Sequence, residues 1–315
     1  MNDVLAQILT VTTLAVVLAK TTPLLLAALG GAATQMGNIL NIGLEGMMLI
    51  GAFTAVVVGA ATNPWIGVLA AIGAAVLLAL VFAVASLVFK ADFIVVGIGV
   101  NLLAVGVSVL LLQVMYGNPG VTPGNVKAIL PKLDLGPIGS IPVLGPAINN
   151  QTLLVWLAFL LVPAYSFLLY RTRFGVHLRA VGEDEPAAIA AGINVFNVKF
   201  VSILISGVMC GLAGAQLAMA TLGSFTAGMT SSRGFIAVAA LTFGLAKPTR
   251  TMVACLIFGA ADAFADRLSL AGANASLSLM TPYAVTIIAL VLAALRMRSV
   301  MNARSKRALA HVVAD

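Results

Sequence analysis

Residues 65–89, WIGVLAAIGAAVLLALVFAVASLVF, contain no charged side chain. At a rise of about 1.5 Å per residue, a helix of this length covers the roughly 30 Å hydrocarbon core of a bilayer. A strand of an outer-membrane barrel would instead show about ten residues that alternate between apolar and polar. The segment therefore predicts a membrane-spanning α-helix.

The rest of the chain has the same character. Of 315 residues, 61% are hydrophobic and only 9% are charged, whereas soluble domains carry roughly 25% charged residues. We predict an all-α, polytopic transmembrane bundle that forms one domain over residues 1–315. The N-terminus lacks the pattern of a cleavable signal peptide, so the first helix is expected to direct insertion. About nine spans are predicted, near residues 4–33 (with a kink at Pro23), 38–60, 65–89, 93–115, 151–170, 197–222, 234–246, 251–268 and 278–297.

Basic residues predict the orientation. The Pro- and Gly-rich residues 116–150 cannot span lipid and are expected to form the largest loop. On this topology twelve cations share one side and four share the other, and the positive-inside rule makes the richer side cytoplasmic. The first group is Lys90, Arg171, Arg173, Arg179, Lys199, Lys247, Arg250, Arg296, Arg298, Arg304, Lys306 and Arg307, and the second is Lys127, Lys132, Arg233 and Arg267.

This count places segment 171–196 and the tail 298–315 in the cytoplasm. It places loop 116–150 and the N-terminus outside, and Lys20 stays unassigned. The net charge of +7 is explained by cations at span ends, which anchor to anionic lipid headgroups. No nucleic-acid partner is therefore expected.

The longest polar stretch lies at residues 171–192, RTRFGVHLRAVGEDEPAAIAAG. Acidic residues at 183–185 suit a helix N-terminus, Pro186 suits a first helical position and Gly192 suits a C-terminal cap. The pattern predicts a short surface helix at residues 186–191. Because so short a helix is unstable alone, we interpret it as a cytosolic docking element.

Few polar residues fall inside the predicted spans. Glu45 is costly at membrane depth, so it is expected either to have a structural or hinge role or to line a transport path. Asn41, Asn101 and Gln216 are candidates for the same path, with hydrogen bonding between helices as the alternative for each. Residues Asp262, Asp266 and Arg267 predict a local ion pair near the external end. The glycines Gly207, Gly211 and Gly214 predict a face for close helix packing.

Several kinds of site are missing from the sequence. It has no G-x-x-x-x-G-K-[ST] loop for ATP phosphates, no H-E-x-x-H and no G-x-S-x-G. Both cysteines, Cys210 and Cys255, fall in apolar runs, and His177 and His311 have no ligand partners nearby. We therefore expect neither an enzyme nor a bound cofactor or metal in this chain.

Four segments carry a family resemblance. They are GNILNIGLEGMMLIGAF at 37–53, ADFIVVGIGVNLLAVG at 91–106, FGVHLRAVGEDEPAAIAAGINV at 174–195 and GFIAVAALTFGLAKPTRTMVACLIFG at 234–259. Together and in this order, they resemble the permease subunits of ABC importers in the branched-chain amino acid, ribose and nucleoside group. The segment NIGLEGMMLIGAF is most similar to the corresponding segment in the shorter permease of nucleoside and related simple-sugar importers.

The resemblance implies a type II importer fold in the bacterial inner membrane. It also implies a cytosolic ATPase that binds ATP and Mg²⁺, a second permease and an external substrate-binding protein as partners. Carried over by motif, the helix that couples to the ATPase and the segment leading to it would comprise Arg179, Ala180, Gly182, Glu183, Pro186, Ala187, Ala190 and Gly192.

The expected cargo is a small neutral solute, since an unpaired ion is costly in a low-dielectric path. Nucleosides come first, with simple sugars and branched-chain amino acids as alternatives. An ion-coupled secondary transporter is the runner-up, although such proteins use intramembrane carboxylates and only Glu45 qualifies by depth. A sensing scaffold would leave the docking element without a role.

Overall fold

The computed structural model describes residues 11–134 and 149–270. Within them the chain forms a helical bundle, as the sequence predicts, and two very short paired strands that the sequence did not predict. The elements are α1 (Val11–Met36), α2 (Leu44–Ala61), α3 (Pro64–Ala83), α4 (Phe93–Tyr116), β1 (Lys132–Leu133), β2 (Gln151–Thr152), α5 (Leu153–Arg171), α6 (Arg173–Glu183), α7 (Glu185–Ala190), α8 (Val195–Met219), α9 (Arg233–Phe243) and α10 (Pro248–Leu270). A π-helical turn, Val84–Val88, directly continues α3.

Six of these helices are long and apolar enough to cross a membrane: α1, α2, α3 with its π-helical turn, α4, α5 and α8. They correspond to the first six predicted spans. The predicted ninth span, 278–297, the tail 298–315 and the loop residues 135–148 lie outside the described residues. The helices at the seventh and eighth predicted spans, α9 and α10, are not among the six, so the total of nine spans stays a prediction.

Helix α9 corrects one predicted span. The sequence suggested a crossing near 234–246, but the helix runs only from Arg233 to Phe243. Eleven residues rise about 16 Å, roughly half of the hydrocarbon core. The non-helical residues 220–232 precede it, so α9 is a half-length helix that begins inside the bundle.

Local side chains define where the long helices begin and end. Asn63 accepts a hydrogen bond from Trp65 N (2.9 Å), and Pro64 opens α3. Asp92 accepts from Ile94 N and Val95 N at the start of α4. Gly117, with φ of 69°, ends that helix because a left-handed residue stops the helical ladder without strain at glycine.

Helix α8 lies at the centre and packs on α1, α2 and α3. Its predicted glycine face makes these approaches possible. A Cβ at Gly211 would lie 2.6 Å from Ile72 Cα of α3, and one at Gly214 would collide with the Met48 carbonyl of α2. The prediction that these glycines serve helix packing is confirmed.

The bundle has two ends with different structures. Segment 117–134 pairs with residues near Gln151 through β1 and β2, and Thr122 N donates to Phe225 O (3.0 Å). Helices α6 and α7 lie at the opposite end, because α5 runs from Leu153 to Arg171 between the two regions. Loop 117–134 and the α6–α7 segment are thus separated by the length of a membrane-spanning helix.

Candidate functional site

The first candidate region is the α6–α7 surface, which we define as residues 173–192. Helix α7 runs from Glu185 to Ala190, one residue earlier than predicted. Asp184 caps it by accepting a hydrogen bond from Ala187 N (3.1 Å), and Gly192 follows with φ of 78°. The short surface helix predicted from the sequence is confirmed.

One face of α7 is anchored and the other is free in this chain. Ala188 is buried, and Lys199 at the start of α8 makes a 2.6 Å ion pair with Glu185. Ala187, Ala190 and Gly192 are exposed together with Pro186, and Ile189 is 60% exposed. The helix therefore presents small, largely apolar side chains outward while its other face rests on the bundle.

Helix α6 holds the remaining predicted coupling residues closer to the bundle. Gly182 packs directly on the Met36 carbonyl at the end of α1, so a Cβ there would collide. Arg179 lies over the Tyr170 ring, 5.0 Å from its centroid, and its Nε donates to Gly175 O (3.4 Å). Ala180 is half-buried, whereas Glu183 is exposed.

A cleft of about 500 Å³ opens beside this surface. It is lined by the end of α1, by Tyr170, by Arg179, Gly182 and Glu183 of α6, and by Leu245–Lys247 after α9. The predicted coupling residues thus form two groups: Arg179, Gly182 and Glu183 border the cleft, while Pro186, Ala187, Ala190 and Gly192 form the exposed face of α7.

The second candidate region lies inside the bundle, where α1 gives way to α2. Asn41 is buried; its Nδ2 donates to Ser206 Oγ (3.1 Å), near the midpoint of α8, and its Oδ1 accepts from Gly43 N (2.9 Å). Asn101 of α4 accepts from Gly46 N (2.8 Å) and donates to Ile42 O (3.1 Å). Both amides satisfy backbone groups between the non-helical residues 42–43 and the first turn of α2, which irregular backbone at membrane depth requires.

Glu45 connects the region between α1 and α2 to α9, although almost 190 residues separate Glu45 from α9 in the sequence. Its carboxylate accepts hydrogen bonds from Ser232 N (2.9 Å) and Gly234 N (2.5 Å) at the first turn of α9. We call Glu45, Ser232, Gly234 and Asn101 the α2–α9 junction. An anion is favoured there because the first N–H groups of a helix have no partner in the helix and carry partial positive charge.

Gln216 lies apart from the junction, at the far end of α8. It is buried, and its Oε1 accepts from Thr152 Oγ1 (2.7 Å). It also borders a cleft of about 460 Å³ with Lys132, Asn150 and Thr221. The structure therefore brings together three of the four predicted path residues, Asn41, Glu45 and Asn101, and leaves Gln216 separate.

Sequence reasoning missed an ionic network next to the junction. Arg233 Nη2 lies 3.1 Å from Asp262 Oδ2, and Lys20 Nζ lies 3.5 Å from Asp262 Oδ2 and 2.7 Å from Asp266 Oδ2. Asp262 and Asp266 thus pair across helices, with Lys20 of α1 and with Arg233 at the start of α9, which the predicted local ion pair did not include. Arg233 is paired within the bundle, whereas the sequence count treated it as an external cation.

The network links three helices at a depth where unpaired charges are costly. The side chains of Arg233 and Asp262 are 18% and 19% exposed, and that of Lys20 is 27% exposed. Lys20 could have been recognised from the sequence, since it falls within the first predicted span and therefore needs a partner. In residues 11–134 and 149–270, no group of three or more His, Cys, Asp or Glu side chains could hold a metal ion.

Comparison with known proteins places the chain among transport permeases. The family described as branched-chain amino acid transport system, permease component, matches residues 13–290. The guanosine ABC transporter permease protein NupQ of Bacillus subtilis is 37% identical over 285 residues, covering 85% of this chain and 87% of its own length. The nucleoside ABC transporter permease protein NupC of Lactococcus lactis is 36% identical, covering 86% and 88%. A putative glucose ABC transporter permease protein, TsgC13 of Haloferax volcanii, is 35% identical, covering 77% and 73%.

Proposed function

The chain belongs to the family of permease components of branched-chain amino acid transport systems, and from that premise we propose that it is the nucleoside-translocating permease subunit of an ABC importer. The observation that carries the substrate is the similarity to two nucleoside permeases across more than four fifths of each chain. The similarity to a glucose permease covers less of both chains and makes simple sugars the second candidate.

The energy for transport is proposed to come from a separate cytosolic ATPase. The sequence has no loop to hold ATP phosphates, so ATP and Mg²⁺ would bind to that partner and no cofactor to this chain. The exposed face of α7, with Pro186, Ala187, Ala190 and Gly192, is the proposed docking surface. Arg179, Ala180, Gly182 and Glu183 would set its position against the bundle.

The charge distribution supports a cytoplasmic location for this end. Lys90, Arg171, Arg173, Arg179, Lys199, Lys247 and Arg250 lie at the α6–α7 end, while the opposite end has Lys127, Lys132 and Arg267. Because Arg233 is paired inside the bundle, the described residues have seven cations at one end and three, rather than the expected four, at the other. The tail 298–315 is proposed to be cytoplasmic as well.

The remaining partners follow from the same topology. An external binding protein would deliver the solute at the end formed by residues 117–134 and β2. A second, longer permease would complete the path, and lipid would cover exposed apolar side chains such as Leu102 and Val114 of α4. No nucleic acid is needed to account for the positive charge.

The path residues are proposed to handle a neutral solute. Asn41, Glu45, Asn101 and Gln216 have polar atoms inside the bundle, and next to Glu45 the charges of Arg233 and Asp262 are paired with each other. Because paired charges offer little net attraction to an ion, a neutral nucleoside or sugar fits better than a charged solute.

Uptake measurements test the substrate. Cells with and without the gene would be given radiolabelled guanosine, glucose or leucine at equal concentration. We expect the deletion to abolish guanosine uptake and the restored gene to recover it, with leucine uptake unchanged. Loss of glucose uptake alone would select the second candidate, and loss of leucine uptake alone would overturn both.

A further inference from the structure

Helix α9 has no cap of its own at the end that begins inside the bundle. Ser232, at the N-cap position, has φ of 64° and makes no capping hydrogen bond with its side chain. The carboxylate of Glu45 replaces that cap from α2, with one oxygen on Ser232 N and the other on Gly234 N. The first turn of α9 is therefore held by a residue of another helix.

The backbones of α9 and α2 pack closely at this attachment. A Cβ at Gly234 would lie 2.5 Å from both N and Cα of Glu45, so the two backbones are in direct contact. On the α2 side, a Cβ at Gly46 would lie 2.8 Å from Asn101 Cα, and Asn101 also bonds the backbone on both sides of Glu45. The position of Glu45 is thus fixed by α4, and the position of α9 is fixed by Glu45.

The other end of α9 reaches the α6–α7 surface. Leu245 and Ala246 turn the chain with φ of 52° and 55°, and together with Lys247 they line the cleft that Arg179, Gly182 and Glu183 border. One rigid helix, about 16 Å long, therefore connects the cleft to the middle of the bundle.

We propose that Glu45 is a positioning residue of the transport cycle, which clamps α9 to α2 so that movement at the cleft is transmitted to the middle of the bundle. This inference rests on the proposed role as an ATP-driven permease. In the absence of the clamp, α9 can shift or lose its first turn when the cleft changes shape. ATP hydrolysis would then continue without a matching movement of the path.

Two variants break the clamp in different ways. In Glu45→Gln the side chain keeps its shape, but an amide nitrogen replaces one acceptor and faces a backbone N–H. In Gly234→Ala the carboxylate stays and the added methyl forces the backbones apart. The matched controls are Asp92→Asn, which makes the same acid-to-amide change at the N-cap of α4, and Gly99→Ala, where an added Cβ meets nothing within 4 Å.

The measurement uses the complete complex of ATPase, permeases and binding protein in proteoliposomes. It records ATP hydrolysis, guanosine transported per ATP and amide exchange of residues 232–236. We expect both clamp variants to assemble, to exchange faster at 232–234 and to transport on the order of tenfold less guanosine per ATP, while both controls match the wild type. Glu45→Asp, which keeps the charge at shorter reach, is expected to recover part of the ratio.

Three outcomes would overturn the proposal. Clamp variants that assemble and transport as much guanosine per ATP as the wild type would show that α9 needs no attachment to Glu45 for coupling. Failure of both variants to assemble would assign the junction to folding alone. Controls that lose the ratio equally would show that the effect is not specific to the clamp. A wild type that hydrolyses ATP but moves no guanosine would refute the proposed substrate instead. The clamp is then tested by how strongly the binding protein stimulates ATP hydrolysis, in place of the transport ratio. Loss of this stimulation in the two clamp variants would support the clamp, and stimulation at the wild-type level would overturn it.

Discussion

The α6–α7 surface and the α2–α9 junction contain helix N-termini capped by carboxylates, but the caps have different origins. Asp184 is adjacent to the helix it caps, and the exposed face of α7 depends on few other contacts. Glu45 caps α9 from a distant part of the sequence and is itself held by Asn101. Helix α7 can therefore adapt to a partner at small cost, whereas α9 cannot move without disturbing α1, α2 and α10, on which it packs.

Loop 117–134 and α7 lie at opposite ends of the bundle, so we predict all-or-none labelling from the two sides of the membrane. Cys210 and Cys255 are buried and can first be replaced. We then expect Asn125→Cys to react with a membrane-impermeant maleimide in intact cells and Ala191→Cys to react only in inside-out vesicles, because both positions are exposed at opposite ends of the bundle. Labelling of both from the same side would contradict the topology.

Removing a charge next to the junction is expected to have the next largest effect. Arg233→Met leaves Asp262 with only the longer contact to Lys20, and breaking a largely buried pair costs about 3 to 5 kcal/mol. The thermal unfolding midpoint of the detergent-solubilised complex should fall clearly. Lys127→Met, on an exposed loop, should change stability by less than about 0.5 kcal/mol. Equal midpoints for the two variants would mean that the ionic network contributes nothing.

Loss of the local cap of α7 should reduce stability less than loss of Arg233. Asp184→Ala removes the acceptor for Ala187 N and is expected to cost about 1 kcal/mol, which would raise amide exchange across α7 roughly fivefold. Asp184→Asn should keep exchange close to the wild type, since asparagine caps equally well. Exchange at residues 232–234 should not change in either variant. A change there would show that the two regions are not independent.

The sequence predicted elements whose determinants are local. The six long spans follow from predominantly apolar runs, and α7 follows from the acidic residues, Pro186 and Gly192 within one short segment. The junction could not be predicted in this way, because Glu45 and Gly234 meet only through the packing of α1, α2 and α8. Because a charged side chain is costly at membrane depth, Glu45 could be expected to need a partner. Which residue is the partner could not be predicted. The half-length of α9 was missed for the same reason, since its start depends on a cap from α2.

Docking of the ATPase on α7 is the central claim, and co-purification tests it most directly. Ala187→Arg places a bulky charge on the exposed face of α7. Thr62→Arg places the same charge on an exposed position at the opposite end, where nearby Gly59 packs against Ala128 of loop 117–134. We predict that Ala187→Arg inserts normally in the membrane but loses the co-purified ATPase, and that Thr62→Arg retains it. An Ala187→Arg permease that keeps the ATPase and its substrate-stimulated hydrolysis at the wild-type level would contradict the account.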